Sequence, residues 1–292
     1  MNPFRKLAYS GIEFFINIKV KLLQSKIRSK PLQYGLNKEK RAKRIVVSLT
    51  SYPARFPTLD ITIRSLLNQT MRPDKIVLFL HKDGEYDKVT PNIKALEEFG
   101  LEIVPCDVNL RPHNKYFHAM QKYPDDIIIT VDDDQYYNER LIENLFESYK
   151  RYPGAVSAVR TREIQFDKNG EPLTYKKWRR AKRKRLGPLN SIFALGVGGV
   201  LYPPGCMDRN ILLDADKIKE ICLRNDDVWL KAVQLKKGTK VVVIPRYKKF
   251  RLNPVGTQKI ALHKSNIGEN ENDIIVKNII SEFKLTAGDF KN

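Results

Sequence analysis

The sequence has 292 residues, 42% hydrophobic and 10% aromatic, enough apolar side chain to bury one large α/β core or two small ones, and global disorder is excluded. Its formal charge of +20 is unevenly spread: residues 1–44 hold 12 Lys and Arg against Glu13 and Glu39, a net of +10, Lys176 to Arg185 adds 8 bases and no acid, and the other 238 residues carry only +2. With no RNP, zinc-finger or helix-turn-helix pattern beside them, these basic appendages do not point to nucleic acid, and no apolar run reaches the ~18 uncharged residues that cross a bilayer.

In chain order, Phe4, Leu7, Ala8, Phe15, Ile18 and Leu22 recur three to four apart among cations, which predicts a basic amphipathic helix within residues 1–43, lying on an anionic membrane surface or on its own domain. Glu13, Lys19 and Lys21 interrupt the apolar stretch, so it does not read as a secretory signal. Ile45 to Thr50 reads as a buried strand, Ser51 to Pro57 as a Pro/Arg loop, and the residues through Ile63, Leu66 and Leu67 as a helix. A strand at Lys75 to Leu80, a helix at Pro91 to Phe99 closed by Gly100, and a strand at Leu101 to Pro105 follow. A short helix from Asn114 to Tyr123 leads into the strongest strand, Asp126 to Val131. Strands spaced by helices in this order imply right-handed βαβ units and a parallel sheet.

Beyond Ala155 the pattern becomes mixed, with a hairpin expected at Asp167 to Gly170 because Asn-Gly favours a tight turn. Lys176 to Arg185 cannot enter a core and reads as a solvated loop or helix, or functionally as a clamp for a phosphate-bearing substrate or anionic lipid. The apolar run Ile192 to Pro204 is broken by Gly196, Gly198, Gly199 and two prolines. Cys106, Cys206 and Cys222 form no CxxC pair, so neither a disulfide framework nor a zinc site is signalled and a reducing, cytoplasmic setting is expected. The expected organisation is a basic segment over 1–43, a catalytic domain over 44–270, and a C-terminal helix with its tail over 271–292.

Asp132, Asp133 and Asp134 end the strongest strand, where open α/β sheets bind ligands. Adjacent carboxylates repel and raise one another's pKa unless a cation neutralises them, and oxygen-only ligands favour Mg2+ or Mn2+ with positions left for a diphosphate. The plain alternative is an acidic loop capping the helix that starts near Glu139. In Asn225-Asp226-Asp227-Val228-Trp229, a cap explains one residue, and Asp227 is a candidate general base toward an acceptor hydroxyl. The glycine loop Leu195 to Gly205 matches neither the dinucleotide fingerprint nor a P-loop, so it is either a close approach to ligand or a tight structural turn.

Together these residues resemble the GT-A class of nucleotide-sugar glycosyltransferases, and family-2-like bacterial enzymes of capsular and lipopolysaccharide synthesis in particular. Val47 to Arg55 with Thr58-Leu59 and Ser65 to Thr70 is similar to their first βα unit. Asn114 to Phe117, Asp125 to Asp134, the glycine loop and Asn225 to Trp229 follow in that class's order. The resemblance spans about Ile45 to His263. It implies an α/β fold with a mixed, mostly parallel central sheet, helices on both faces and the basic N-terminal helix appended.

By position, Asp134 corresponds to the metal ligand and Asp132 to a ribose or metal contact, with Asp133 between them in the D-x-D motif. Thr50 and Arg55 correspond to the nucleotide-side loop, Lys115 to a residue facing the donor diphosphate, and Gly198 and Gly199 to the border of acceptor and sugar. Asp227 matches the last acid of an x-E-D motif in which Asp226 replaces the usual Glu, and His263 resembles a C-terminal histidine that reaches metal or phosphate.

The implied activity is that of a hexosyl- or N-acetylhexosaminyltransferase. Its donor is a nucleoside diphosphate sugar, UDP-based, and its acceptor a hydroxyl of a glycan or lipid-linked molecule. The expected cofactor is Mn2+ or Mg2+, the chemistry inverting, and the location cytoplasmic and peripheral on the inner face of the cell membrane. Three alternatives stand beside it: a retaining exostosin-like transferase, a nucleotidyltransferase, and a non-catalytic module that binds anions or membranes.

Overall fold

The computed structural model describes residues 17–180, 187–244 and 271–291. The first half is built from strands buried on both faces, the condition under which a strand reads as a continuous apolar run. In β1 (Ile45–Thr50), Ile45, Val47 and Leu49 face one helical layer and Val46 the other. The first layer holds α2 (Phe56–Leu67) and the short α3 (Pro91–Lys94), which follow β1 and β2 (Lys75–His81). After β3 (Leu101–Cys106), α4 (Asn114–Lys122) covers the second face, packing Ala119 near Val46, Val77 and Ile128.

β4 (Ile127–Thr130) then pairs in parallel with β1, so the chain leaves both strands at the same edge. α5 (Leu141–Arg151) returns to the first layer. In the second half, β5 (Val156–Ala158) joins the large sheet, while β6 (Thr161–Glu163), β7 (Arg179–Arg180) and β8 (Ile192–Ala194) form a small antiparallel one. β9 (Val200–Tyr202) runs antiparallel between β4 and β5. Three helices follow, α6 (Arg209–Leu212), α7 (Ala215–Ile221) and α8 (Asp226–Lys237), then β10 (Val241–Val243) and α9 (Glu271–Glu282). The large sheet has the order β10-β5-β9-β4-β1-β2-β3 and is parallel except at β9, the mixed and mostly parallel arrangement expected from the sequence.

Several local expectations sharpen. The segment Pro91 to Phe99 divides into α3 and a 3-10 turn over Ala95–Phe99, which ends on Gly100 at φ +113°, against Leu36. The hairpin turn forms as expected: Gly170 has φ +85°, and Asp167 Oδ1 accepts from the Asn169 and Glu171 amides at 2.8 and 2.9 Å. The basic run starts in a 3-10 turn over Tyr175–Lys177 and continues as a strand. Trp178 is buried and Arg179–Arg180 form the edge strand β7; residues 181–186 lie outside the described residues. A helix over 17–29, α1, docks on α2: Ile27 meets Ile61, and Arg28 pairs with Asp60 at 2.7 Å. Residues 1–16 lie outside the described residues, and among the described residues no helix is long and apolar enough to cross a membrane.

One feature of α8 works against stability. Lys231 is 4% exposed, and among the described residues its Nζ has no hydrogen-bond partner in a cavity lined by Trp178, Phe193, Val228, Ile279 and Leu285. Burial pushes its pKa from 10.5 down to about 7. Below about pH 7 the native state holds a charged amine in apolar surroundings, and the cost fades as pH rises toward 10.5, where the unfolded chain also loses its proton. Lys231→Met is therefore expected to stabilise the protein by about 1–3 kcal/mol near neutral pH. Denaturant titrations should show that gain shrinking on the alkaline side.

Candidate active site

The site forms where β1 and β4 end. Val131 is the last apolar residue of its strand, and the three aspartates after it diverge to different partners. Asp132 Oδ1 receives Lys115 Nζ at 2.6 Å, Asp133 Oδ2 receives the Ser51 hydroxyl at 2.6 Å, and Asp134 Oδ2 pairs with Arg55 at 3.0 Å. Asp134 Oδ1 also accepts from Gln135 Nε2 at 2.9 Å.

The turn is held from one side by α2. Thr62 donates to the Asp133 carbonyl at 2.9 Å, the Ser65 hydroxyl accepts from the Tyr137 amide at 3.1 Å, and Gln69 donates to the Asn138 carbonyl at 2.9 Å. Thr62 and Ser65 lie three apart on one face of α2, and Gln69 follows just past its C-cap. The Tyr137 phenol oxygen in turn accepts from the Asp132 amide at 2.8 Å.

On the other side stand the starts of α4 and α8. His113 joins the start of α4 to the end of α7, one ring nitrogen on the Tyr116 hydroxyl and the other on the Cys222 carbonyl, both at 2.9 Å; its burial lowers the pKa to about 4, so it is neutral. Two residues on, Lys115 places its ammonium between Asp132 and Asp226, at 2.6 and 2.9 Å. Asn225 caps α8 by accepting from the Val228 amide at 3.1 Å, which leaves Asp226 and Asp227 in the first turn, where the helix dipole favours negative charge. Asp227 Oδ1 accepts from the Gly196 amide at 3.0 Å.

Five carboxylates thus share two cations, Lys115 and Arg55. Burial opposes a charged Lys115, but Asp132, Asp226 and Asp227 together hold its pKa well above 10.5. Burial raises Asp133 to about 6 against the pull of Arg55. Asp132 is raised by burial and by Asp134 and Asp226 against Lys115. Burial and the neighbouring Asp226 put Asp227 well above the ordinary carboxylate range. The site is short of positive charge.

Its donor set suits a hard divalent cation. Asp132 is partly open, with 27% of its side chain exposed, and Asp134 lies in the same turn. Among the described residues no three acidic, histidine or cysteine side chains complete a metal site, so one or two carboxylates would be joined by ligand phosphates, the usual division for Mg2+.

The sequence matches Glycosyl transferase family 2 over residues 47–200, which include the ends of β1 and β4 that carry the site. The chain belongs to that family. A mannosyltransferase from Pyrobaculum calidifontis, solved with GDP-Man and Mn2+, superposes with a TM-score of 0.54 at 11% identity, covering 98% of this chain and 77% of that one. A 4-diphosphocytidyl-2C-methyl-D-erythritol synthase reaches 0.47 at 11% identity (76% and 99% covered), and TarS of S. aureus 0.45 at 12% (81% and 70%). No curated protein matches the sequence. The protein is a glycosyltransferase of GT-A architecture.

Within this family 2 enzyme, the expected site residues are held by different partners. The buried ammonium of Lys115 is taken up by Asp132 and Asp226. The Thr50 hydroxyl turns to the Phe79 carbonyl at 2.8 Å, so only the backbone of that residue borders the mouth. Gly198 packs on Arg160 and Gly199, at φ +87°, on Leu141; both are glycine for structural reasons. Gly196 is the glycine of the site, since a Cβ there would lie 2.9 Å from Lys115 Nζ and 3.1 Å from Asp227 Oδ1. His263 lies outside the described residues.

Ser51, Tyr137 and Gly196 received no role from the sequence, although each sits within or beside a quoted motif. Removing the shared cation should be costly. Lys115→Met is expected to destabilise the glycosyltransferase by about 3 kcal/mol at pH 8, because two acids lose their partner. The loss should shrink toward pH 5 as Asp132, whose pKa burial raises, takes up a proton, which paired urea titrations would show.

Proposed function

We propose that this glycosyltransferase moves a sugar from a nucleoside diphosphate donor, UDP-based, to a hydroxyl of a glycan or lipid-linked acceptor in surface polysaccharide synthesis, with inversion. The observation that carries this reading is Asp227: a carboxylate fixed by the Gly196 amide at 3.0 Å, with a raised pKa, in one cluster with the acids that end β4. A base whose pKa is lifted toward neutrality holds an abstracted proton better than an ordinary aspartate does.

In this reading the acceptor oxygen attacks the anomeric carbon as the bond to the diphosphate breaks, and Asp227 takes the hydroxyl proton. Lys115 is a positioning residue that ties Asp132 to Asp226 and thereby sets the approach of α8 to the end of β4. Arg55 neutralises the Asp133–Asp134 side, and the backbone of Thr50 with Arg55 lines the nucleotide end. Asp134, with Asp132 and His263, would hold Mn2+ or Mg2+, which when bound supplies Lewis-acid stabilisation of the departing diphosphate. The exposed Ile18 and Leu22 of α1, beside Lys19, Lys21 and Lys26, support a peripheral position on the inner face of the cell membrane.

Donor hydrolysis measured over a panel of nucleoside diphosphate sugars, with and without Mn2+, tests the reaction class. Asp227→Asn should keep donor affinity while transfer falls by about 10²–10⁴, and Asp134→Ala should lose Mn2+-dependent thermal stabilisation by nucleoside diphosphates. Transfer by the wild type should fall as pH drops through the raised pKa of Asp227, because the protonated acid cannot accept. A product whose anomeric configuration by NMR equals the donor's would overturn Asp227 as base.

A further inference from the structure

The basic run begins as a rigid feature at the edge of the site. Lys176, Lys177, Arg179 and Arg180 are all exposed and make no ion pair among the described residues, while the turn beneath them is clamped. Asp273 accepts from the Tyr175 amide at 2.6 Å. Arg162 donates to the Tyr175 and Trp178 carbonyls, both at 3.2 Å, and its guanidinium lies 4.6 Å from the Tyr175 ring centre. Trp178, pointing inward between the two cation pairs, packs edge-on against Phe193 of β8 at 5.2 Å. Cations fixed in this way forfeit less side-chain and backbone entropy on meeting an anion than cations on a free loop.

This edge is wired to the reacting end of the molecule. Arg180 of β7 pairs with Arg162 of β6, which pairs with Phe193 of β8. Two residues after β8 comes Gly196, whose amide holds Asp227. With neighbouring strands about 4.8 Å apart, the cation row lies about 10 Å across the small sheet from the strand that leads to the base. The Tyr175 ring occupies the interval, 6.2 Å from Phe193, and burial followed by the Asp227 charge raises its phenol pKa to about 12. The donor end, at Arg55 and Asp133–Asp134, is built from other elements, β1, α2 and β4.

We propose that the clamped row Lys176, Lys177, Arg179 and Arg180 is an acceptor subsite for a glycan that carries a phosphate within about 10–15 Å of the hydroxyl to be glycosylated. This inference rests on the glycosyl-transfer reading for its direction, but its binding step can be tested alone.

The full chain is titrated with an oligosaccharide bearing one phosphate monoester, with its dephosphorylated twin, and with vesicles of phosphatidylglycerol or of phosphatidylcholine. The wild type should prefer the phosphorylated sugar at low salt, and Arg179→Ser/Arg180→Ser should weaken that complex about tenfold while the twin is unaffected. Lys236→Ser/Lys237→Ser, which removes equal charge from the far end of α8, should leave it unchanged. Equal loss from both double variants, no discrimination by the wild type, or a loss seen only on phosphatidylglycerol vesicles would overturn the subsite. A wild type that binds the phosphosugar as described yet hydrolyses no donor would defeat the proposed function and not the binding site.

Discussion

A single ammonium group holds the site together. Lys115 Nζ lies 2.6 Å from Asp132 and 2.9 Å from Asp226, and so joins the end of β4 to the first turn of α8 across a part of the fold that no sheet hydrogen bond spans. Taking a lysine out of water is unfavourable unless its charge is met more than once, and here three carboxylates meet it. The backbone conforms to this demand. Gly196 has no side chain because a Cβ would press on the ammonium, and the neutral His113 pins the start of α4 to the end of α7.

The same charge balance separates the roles of chemically identical side chains. Asp133 and Asp134 are held by hydroxyl, amide and guanidinium groups, whereas Asp227 takes its hydrogen bond from a backbone amide and sits beside another acid. Environment therefore divides five aspartates into a pair tied to Ser51 and Arg55, a pair bridged by Lys115, and a candidate base, with no difference in residue type to do it.

The first half of the fold was legible because its strands are apolar throughout and its helices are cleanly punctuated; Ile45–Thr50 is a strand to the residue. The positions of the strand-end acids followed from the end of that apolar period. Legibility fails where a residue's job depends on long-range packing. Nothing local says that Lys115 points inward, since an isolated lysine near a helix start has the same spacing as one facing solvent. Gly196, Gly198 and Gly199 are indistinguishable in sequence, and only the neighbours brought by β6, α5 and α8 separate the one at the site from the two beneath it. Thr62 and Ser65 are polar positions on a buried helix face, with Gln69 just past its end, a signal that hydrophobic periodicity overlooks.

The docking of α1 has a mechanical consequence. Asp60, which receives Arg28, and Thr62, which grips the Asp133 carbonyl, are two residues apart on α2 and so point to nearly opposite sides of one rod. Displacement of α1 is thereby coupled through one short stiff rod to the turn that carries Asp133.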